Sequence, residues 1–114
     1  MKKYVFLFLM MSFMISCSEA VIEDLPTDPI TNQVNYVTDV KIIIDNNCVG
    51  CHGAVSPSAG LSLTNYTQVR NAAENGNLIN RINNVSNPMP QSGLMSSSNR
   101  AIIDKWVIDG YLEN

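Results

Sequence analysis

Residues 47–53 read Asn47-Cys48-Val49-Gly50-Cys51-His52-Gly53. Two thiols separated by two residues, with an imidazole directly after the second, form C-x-x-C-H, the c-type haem attachment signature. The chemistry explains the spacing. Each thiol adds to one vinyl group of the porphyrin, and two intervening residues let both sulfurs reach two vinyls on one edge. A histidine directly after the second sulfur is then held beneath the ring with a nitrogen aimed at iron. Gly50 and Gly53 keep the backbone slim beside the macrocycle. Other chemistries draw on the same residue types. A Cys48–Cys51 disulfide closes a very small loop and stabilises little. A thioredoxin-like redox pair needs a βαβ pattern around the motif, and no strand run precedes Cys48. A zinc site needs about four ligands, whereas apart from Cys17 the chain offers two cysteines and one histidine.

Upstream, Lys2 and Lys3 precede an almost wholly apolar run at residues 4–15, YVFLFLMMSFMI. Twelve residues make a helix of about 18 Å, short of the roughly 30 Å hydrocarbon core of a bilayer. The run therefore reads as a secretory signal over residues 1–16. Cys17 follows Met14, Ile15 and Ser16 and resembles a bacterial lipoprotein site, with cleavage before Cys17 and acylation of its thiol. The alternative is an ordinary signal cut after Ala20, with Ser18 and Ala20 as the small residues. Either route leads out of the cytoplasm to an oxidising compartment. Residues 17–35 carry Pro26, Pro29 and four acids without a sustained apolar period. They read as a lipid-anchored flexible tether, with a strap packed along the domain as the alternative.

The chain has 114 residues, 7 basic and 10 acidic, for a net charge of -3. Removing residues 1–16 takes away two lysines, leaving 98 residues at net -5. That balance excludes a basic patch for nucleic acid or anionic membrane. The length excludes a TIM barrel or a two-domain enzyme.

Four stretches in order resemble small class I-like cytochrome c domains, of the kind found in bacterial cell-envelope lipoproteins. They are residues 47–53, then Pro57-Ser58-Ala59-Gly60-Leu61-Ser62-Leu63, then Met89-Pro90 followed by Gly93, then Ile103-Asp104-Lys105-Trp106-Val107-Ile108-Asp109-Gly110. Together they span about residues 38–112, and C-x-x-C-H is the specific element among them. Where the family often has Met-Pro-Pro-x-Gly, this chain has Gln91 at the second Pro. The resemblance implies an all-α fold over residues 36–114, with three to four short helices wrapped around one covalently attached haem c.

His52 is the only histidine, so two histidine ligands from one chain are impossible. The second axial ligand is a methionine, a lysine or an open site. Beyond the signal, only Met89 and Met95 remain among the methionines. Met89 lies between Pro88 and Pro90, which stiffen the loop and hold it extended. A stiff loop suits a weak thioether ligand, and the resemblance places the axial methionine in this Met-Pro context. Met95, just before Ser96-Ser97-Ser98, reads more naturally as an apolar contact.

Apolar residues at 36, 37, 40, 43 and 44 predict a helix over Tyr36–Asn46, capped by Thr38 or Asp39. The β-branched cluster at 40–44 makes a strand the alternative. Residues 54–64 read as a loop whose Leu61 and Leu63 cover a haem face. Short helices are expected over Tyr66–Glu74, ended by Asn75-Gly76, and around Leu78, Ile79 and Ile82. Ser98–Ile108 is the clearest helix, with Ile102, Ile103, Trp106 and Val107 on one face and Gly110 as its stop. Trp106 reads as a core aromatic or as a cofactor-binding residue whose indole N–H meets a haem propionate. Arg70, Arg81 and Arg100 are solvated charges, or one of them pairs with a propionate.

A His52/Met89 pair leaves iron no free position for substrate, so the expected role is not enzymatic. It is a monohaem electron carrier in the cell envelope, lipid-anchored to a membrane facing the periplasm or the cell surface. Its partners are then a protein donor and a protein acceptor, not nucleic acid. The alternative is a five-coordinate haem module that binds a gas or a peroxide.

Overall fold

The structure, a computed structural model, describes residues 30–114. The expected signal, Cys17 and most of the expected tether lie outside these residues. Every regular element among the described residues is helical. A wide π turn over Tyr36–Val40 runs directly into α1, Lys41–Asn47; α2 spans Tyr66–Glu74, α3 Leu78–Asn83 and α4 Ser97–Ile108. The chain is thus all-α over the described residues, with a single turn of 3-10 helix at Ser58–Gly60 between α1 and α2.

The β-branched cluster at 40–44 forms helix rather than strand. Tyr36, Val40, Ile43 and Ile44 are buried, and their spacing puts them on one helical face. Val37, expected on that face, is exposed, as is Ile42. The N-cap is Asn35 rather than Thr38 or Asp39. Asp39 reaches back from the first turn: its Oδ2 accepts from the Asn35 N–H at 2.9 Å and from Thr38 Oγ1 at 2.6 Å. An acid returning to the N-cap amide is one half of a capping box.

The starts of α2 and α4 are capped by side chains. Asn65 Oδ1 accepts from Gln68 N at the head of α2. Ser96 Oγ accepts from Asn99 N at the head of α4, which begins one residue before the expected start. α2 buries Val69, Ala72 and Ala73, α3 buries Leu78 and Ile82, and α4 buries Ile103 and Trp106. α4 packs on the π turn and on α3, and α3 packs on α2. A polar bridge fixes α3 to α4: Asn83 Nδ2 donates to Asp104 Oδ1 at 3.1 Å, and Arg100 Nη1 donates to Asn83 Oδ1 at 3.2 Å.

Both ends of the domain meet at the foot of α4. Gly110, with φ of +89°, takes the left-handed conformation that ends the helix and turns the tail back. The tail then accepts from the first helix, Tyr36 N to Leu112 O at 2.8 Å and Val37 N to Glu113 O at 3.0 Å. On the other side, Val34 is buried, Ile30 packs on the core, and Val34 N donates to Asp109 Oδ2 at 2.8 Å. Residues 30–35, expected as the end of the tether, are therefore packed against the domain. The packed part begins ahead of the expected boundary at residue 36.

Candidate cofactor cavity

The C-terminus of α1 delivers the C-x-x-C-H motif. Beyond Asn47 the chain keeps turning: Cys48 N donates to Ile44 O at 2.8 Å, and His52 N to Cys48 O at 2.8 Å. Cys48 and His52 thus sit one turn apart. The following loop folds back and clamps the motif. Ser58 N donates to Cys51 O at 2.9 Å, and Leu63 N to His52 O at 2.8 Å. The loop is held in turn by α2, where Gln68 Oε1 accepts from Thr64 N at 2.9 Å, Thr64 Oγ1 at 3.0 Å and Ser62 Oγ at 3.2 Å.

This clamp orients His52. Its Nδ1 lies 2.9 Å from Leu61 O. A carbonyl only accepts, so Nδ1 carries a proton, and in the neutral ring Nε2 keeps its lone pair. An imidazole fixed at one nitrogen by a backbone carbonyl is the usual outer support of a metal-bound histidine.

Cys48, Cys51 and His52 line a cavity of about 360 Å³ together with Leu61, Leu63, Leu78, Ile82 and Met89. That volume lies in the range of roughly 300–1,000 Å³ typical of small-molecule and cofactor pockets. Leu63 is buried and Leu61 is 40% exposed, so the first forms wall and the second rim. Met89 comes from a distant loop that α3 anchors. Met89 N donates to Arg81 O at 3.0 Å, and Arg81 Nη2 donates to Asn87 Oδ1 at 3.2 Å. Asn84 Oδ1 accepts from Ser86 N and Asn87 N, both at 2.9 Å, and makes the turn that starts this loop. The C-x-x-C-H segment and Met89 thus line one apolar space. Gly53 has a local reason to be glycine, since a Cβ there would sit 3.1 Å from Val49 O; Gly50 has open space around it.

Electrostatics separate the chemistries open to the cysteines. Both are free thiols. Burial pushes the Cys48 thiol up to about 11, so it is protonated at neutral pH. Cys48 is therefore ill suited to attack as a thiolate. Desolvation penalises a thiolate but costs an uncharged thioether sulfur little. Among the described residues, no three or more His, Cys, Asp or Glu side chains form a group able to hold a metal ion by themselves, which is what a zinc site requires. The cavity lining brings together two thiols, one imidazole, one thioether and apolar walls.

Of the two roles open for Trp106 the core one is taken, and Met95 is the apolar contact expected of it. Trp106 is fully buried but does not line the cavity. Its Nε1 donates to Leu112 O at 2.8 Å, and its ring packs among Tyr36, Tyr66 and Tyr111 at centroid distances of 6.0, 6.4 and 5.3 Å. The folded-back tail supplies the acceptor for the indole, in place of the propionate of the alternative reading. Met95 is buried in the core and also lies outside the cavity. Sequence reasoning did not assign Leu78, Ile82, Pro90 and Gln91 to the wall. The four-residue spacing of Leu78 and Ile82 was a visible signal for a shared face, but not for which space that face borders. No family model, no curated protein and no solved structure matches this chain.

Proposed function

We propose that this protein is a monohaem c-type cytochrome that passes single electrons between redox proteins in the cell envelope. The observation that carries the proposal is the convergence of Cys48, Cys51, His52 and Met89 on one apolar cavity, with His52 Nδ1 engaged by Leu61 O. Cys48 and Cys51 would hold haem c by two thioethers, and His52 Nε2 and Met89 would be its axial ligands. Bound there, the cofactor supplies a reversible one-electron couple. A thioether opposite an imidazole raises the potential of that couple, and apolar walls such as Leu63, Leu78 and Ile82 push it the same way by disfavouring the extra charge of the ferric state. Arg81 and Asn84 hold the Met89 loop in place, so ligation requires little ordering at the moment of binding. The net negative charge of the chain favours encounter with partners that carry basic patches. Cys17, as a lipid anchor, would keep the domain at a membrane.

The test is the visible spectrum of the full chain made in cells able to attach c-type haem. The expected result is a low-spin spectrum with a sharp reduced α band. In the oxidised form it includes a thioether-to-iron band that disappears in Met89→Ala. A high-spin spectrum replaces the carrier with a five-coordinate module that binds a gas or a peroxide. A colourless protein overturns both.

A further inference from the structure

Residues 84–94 leave α3 at Asn83 and rejoin the core at Met95, and Met89 stands midway, six residues from either foot. The middle of a loop has the most freedom when its feet can move apart, so whatever holds the feet governs where Met89 goes. One side chain of α4 holds both. Arg100 Nη1 donates to Asn83 Oδ1 at the entry foot, and Arg100 Nε donates to Met95 O at the exit foot, each at 3.2 Å. Asn83 is oriented for its part. Its Nδ2 donates to Asp104 Oδ1 at 3.1 Å and to Ile79 O at 3.2 Å, which leaves Oδ1 as the acceptor for the guanidinium. Arg100 and Asp104 stand four residues apart on α4 and so share a face. We propose that Arg100 is the positioning residue of the Met89 loop, a brace that ties both of its feet to α4 and keeps Met89 at the cavity. This rests on the haem reading only for the role of Met89 as an iron ligand.

A guanidinium suits this task. It is planar and permanently charged, and its donors leave it at fixed angles. Two of them reach oxygens on two separate segments, so neither foot can shift without breaking a charge-assisted bond. A lysine ammonium is a compact charge on a flexible stem and would hold both feet less firmly. The entry half of the loop has further support from α3, through Met89 N to Arg81 O and through the Asn84 turn. The exit half runs through the Gly93 N to Pro90 O turn and reaches Arg100 at Met95. Loss of Arg100 therefore frees the exit half first and lets Met89 swing away. The motif at 48–52 keeps its place, because Ile44, Leu61 and Leu63 hold it.

The test uses the haem-loaded full chain, wild type beside Arg100→Gln, Arg100→Lys and the control Val69→Ala, which thins the core at a fully buried residue of α2. Amide exchange at the Met89 N–H reads the loop, and the His52 N–H is the reference within the motif. Arg100→Gln should speed exchange at Met89 about tenfold, the size of one lost bond to a charged donor, and leave His52 unchanged. Imidazole competing for iron should abolish the thioether-to-iron band of Arg100→Gln at about one tenth of the concentration wild type needs. Arg100→Lys should lie between the two, and Val69→Ala should lower Tm without moving the imidazole concentration. Exchange at Met89 that stays at the wild-type rate, or that rises equally at His52, overturns the inference and leaves the cytochrome reading standing. An imidazole concentration that falls as far in Val69→Ala as in Arg100→Gln does the same. Where Arg100→Gln does not fold, Arg100→Lys decides, and behaviour identical to wild type overturns the brace. A wild type that binds no haem overturns the cytochrome reading instead, and the exchange comparison then decides the brace on the haem-free chain.

Discussion

At the residue scale, single side chains here act as joints between segments. Gln68 Oε1 gathers three donors from residues 62–64, directly after Leu61, whose carbonyl orients His52. Gln68→Ala removes the acceptor from all three at once. A lost hydrogen bond with a half-buried partner costs about 1–3 kcal/mol, and thermal unfolding should register it. On the proposed haem reading the more telling readout is the visible spectrum, which looser support of His52 should broaden or shift. Trp106 is the largest fully buried side chain. Trp106→Ala should cost about 3–5 kcal/mol, measured by urea unfolding. Because Trp106 stands outside the cavity, protein that still folds should, on the proposed haem reading, keep the spectrum of the wild type.

At the element scale, the helices are short and depend on their ends. α4 supplies Ile103 and Trp106 to the core and begins at a side-chain cap, Ser96. Ser96→Ala should cost about 1 kcal/mol, which for a domain of this size lowers Tm by about 4–8 °C. The foot of α4 adds a pH-dependent joint. The Lys105 ammonium, and then the Val34 N–H, hold the Asp109 carboxyl below its usual range. A depressed folded value means that the stabilisation is complete above the unfolded value of about 4 and is lost as pH falls through the folded one. Acidification should therefore release residues 30–34 first, seen as faster amide exchange there. Asp109→Asn should remove most of that acid dependence.

At the scale of the whole molecule, the core is small. It draws on four short helices and a buried cluster from Val34 to Trp106, while a cavity of about 360 Å³ occupies the space between α1, α3 and the Met89 loop. Domains of this size are marginal on their own and usually need a staple. A covalent cofactor would be one, filling the cavity with apolar surface and tying α1 to the Met89 loop. The Cys48→Ala, Cys51→Ala double variant should accordingly fail to fold stably. Circular dichroism melting would show it, and a native-like Tm in that variant would count against the account.

What the sequence determined by itself was local. The helical face of Tyr36, Val40, Ile43 and Ile44, the start of α2 at Tyr66 and the stop at Gly110 all follow from short-range spacing and from backbone conformations that few residues adopt. The spacing of Cys48, Cys51 and His52 likewise belongs to one turn of chain, so their adjacency was legible without the fold. Only the tertiary structure decided which long-range partner each polar group finds. Trp106 Nε1 went to Leu112 O because the tail reverses at Gly110. Residues 30–35 became a strap because Asp109 waits at the foot of α4. Arg81, alike to Arg70 and Arg100 in sequence, is set apart only by the cavity it faces. Such pairings depend on where distant segments come to rest, and spacing along the chain carries no record of that.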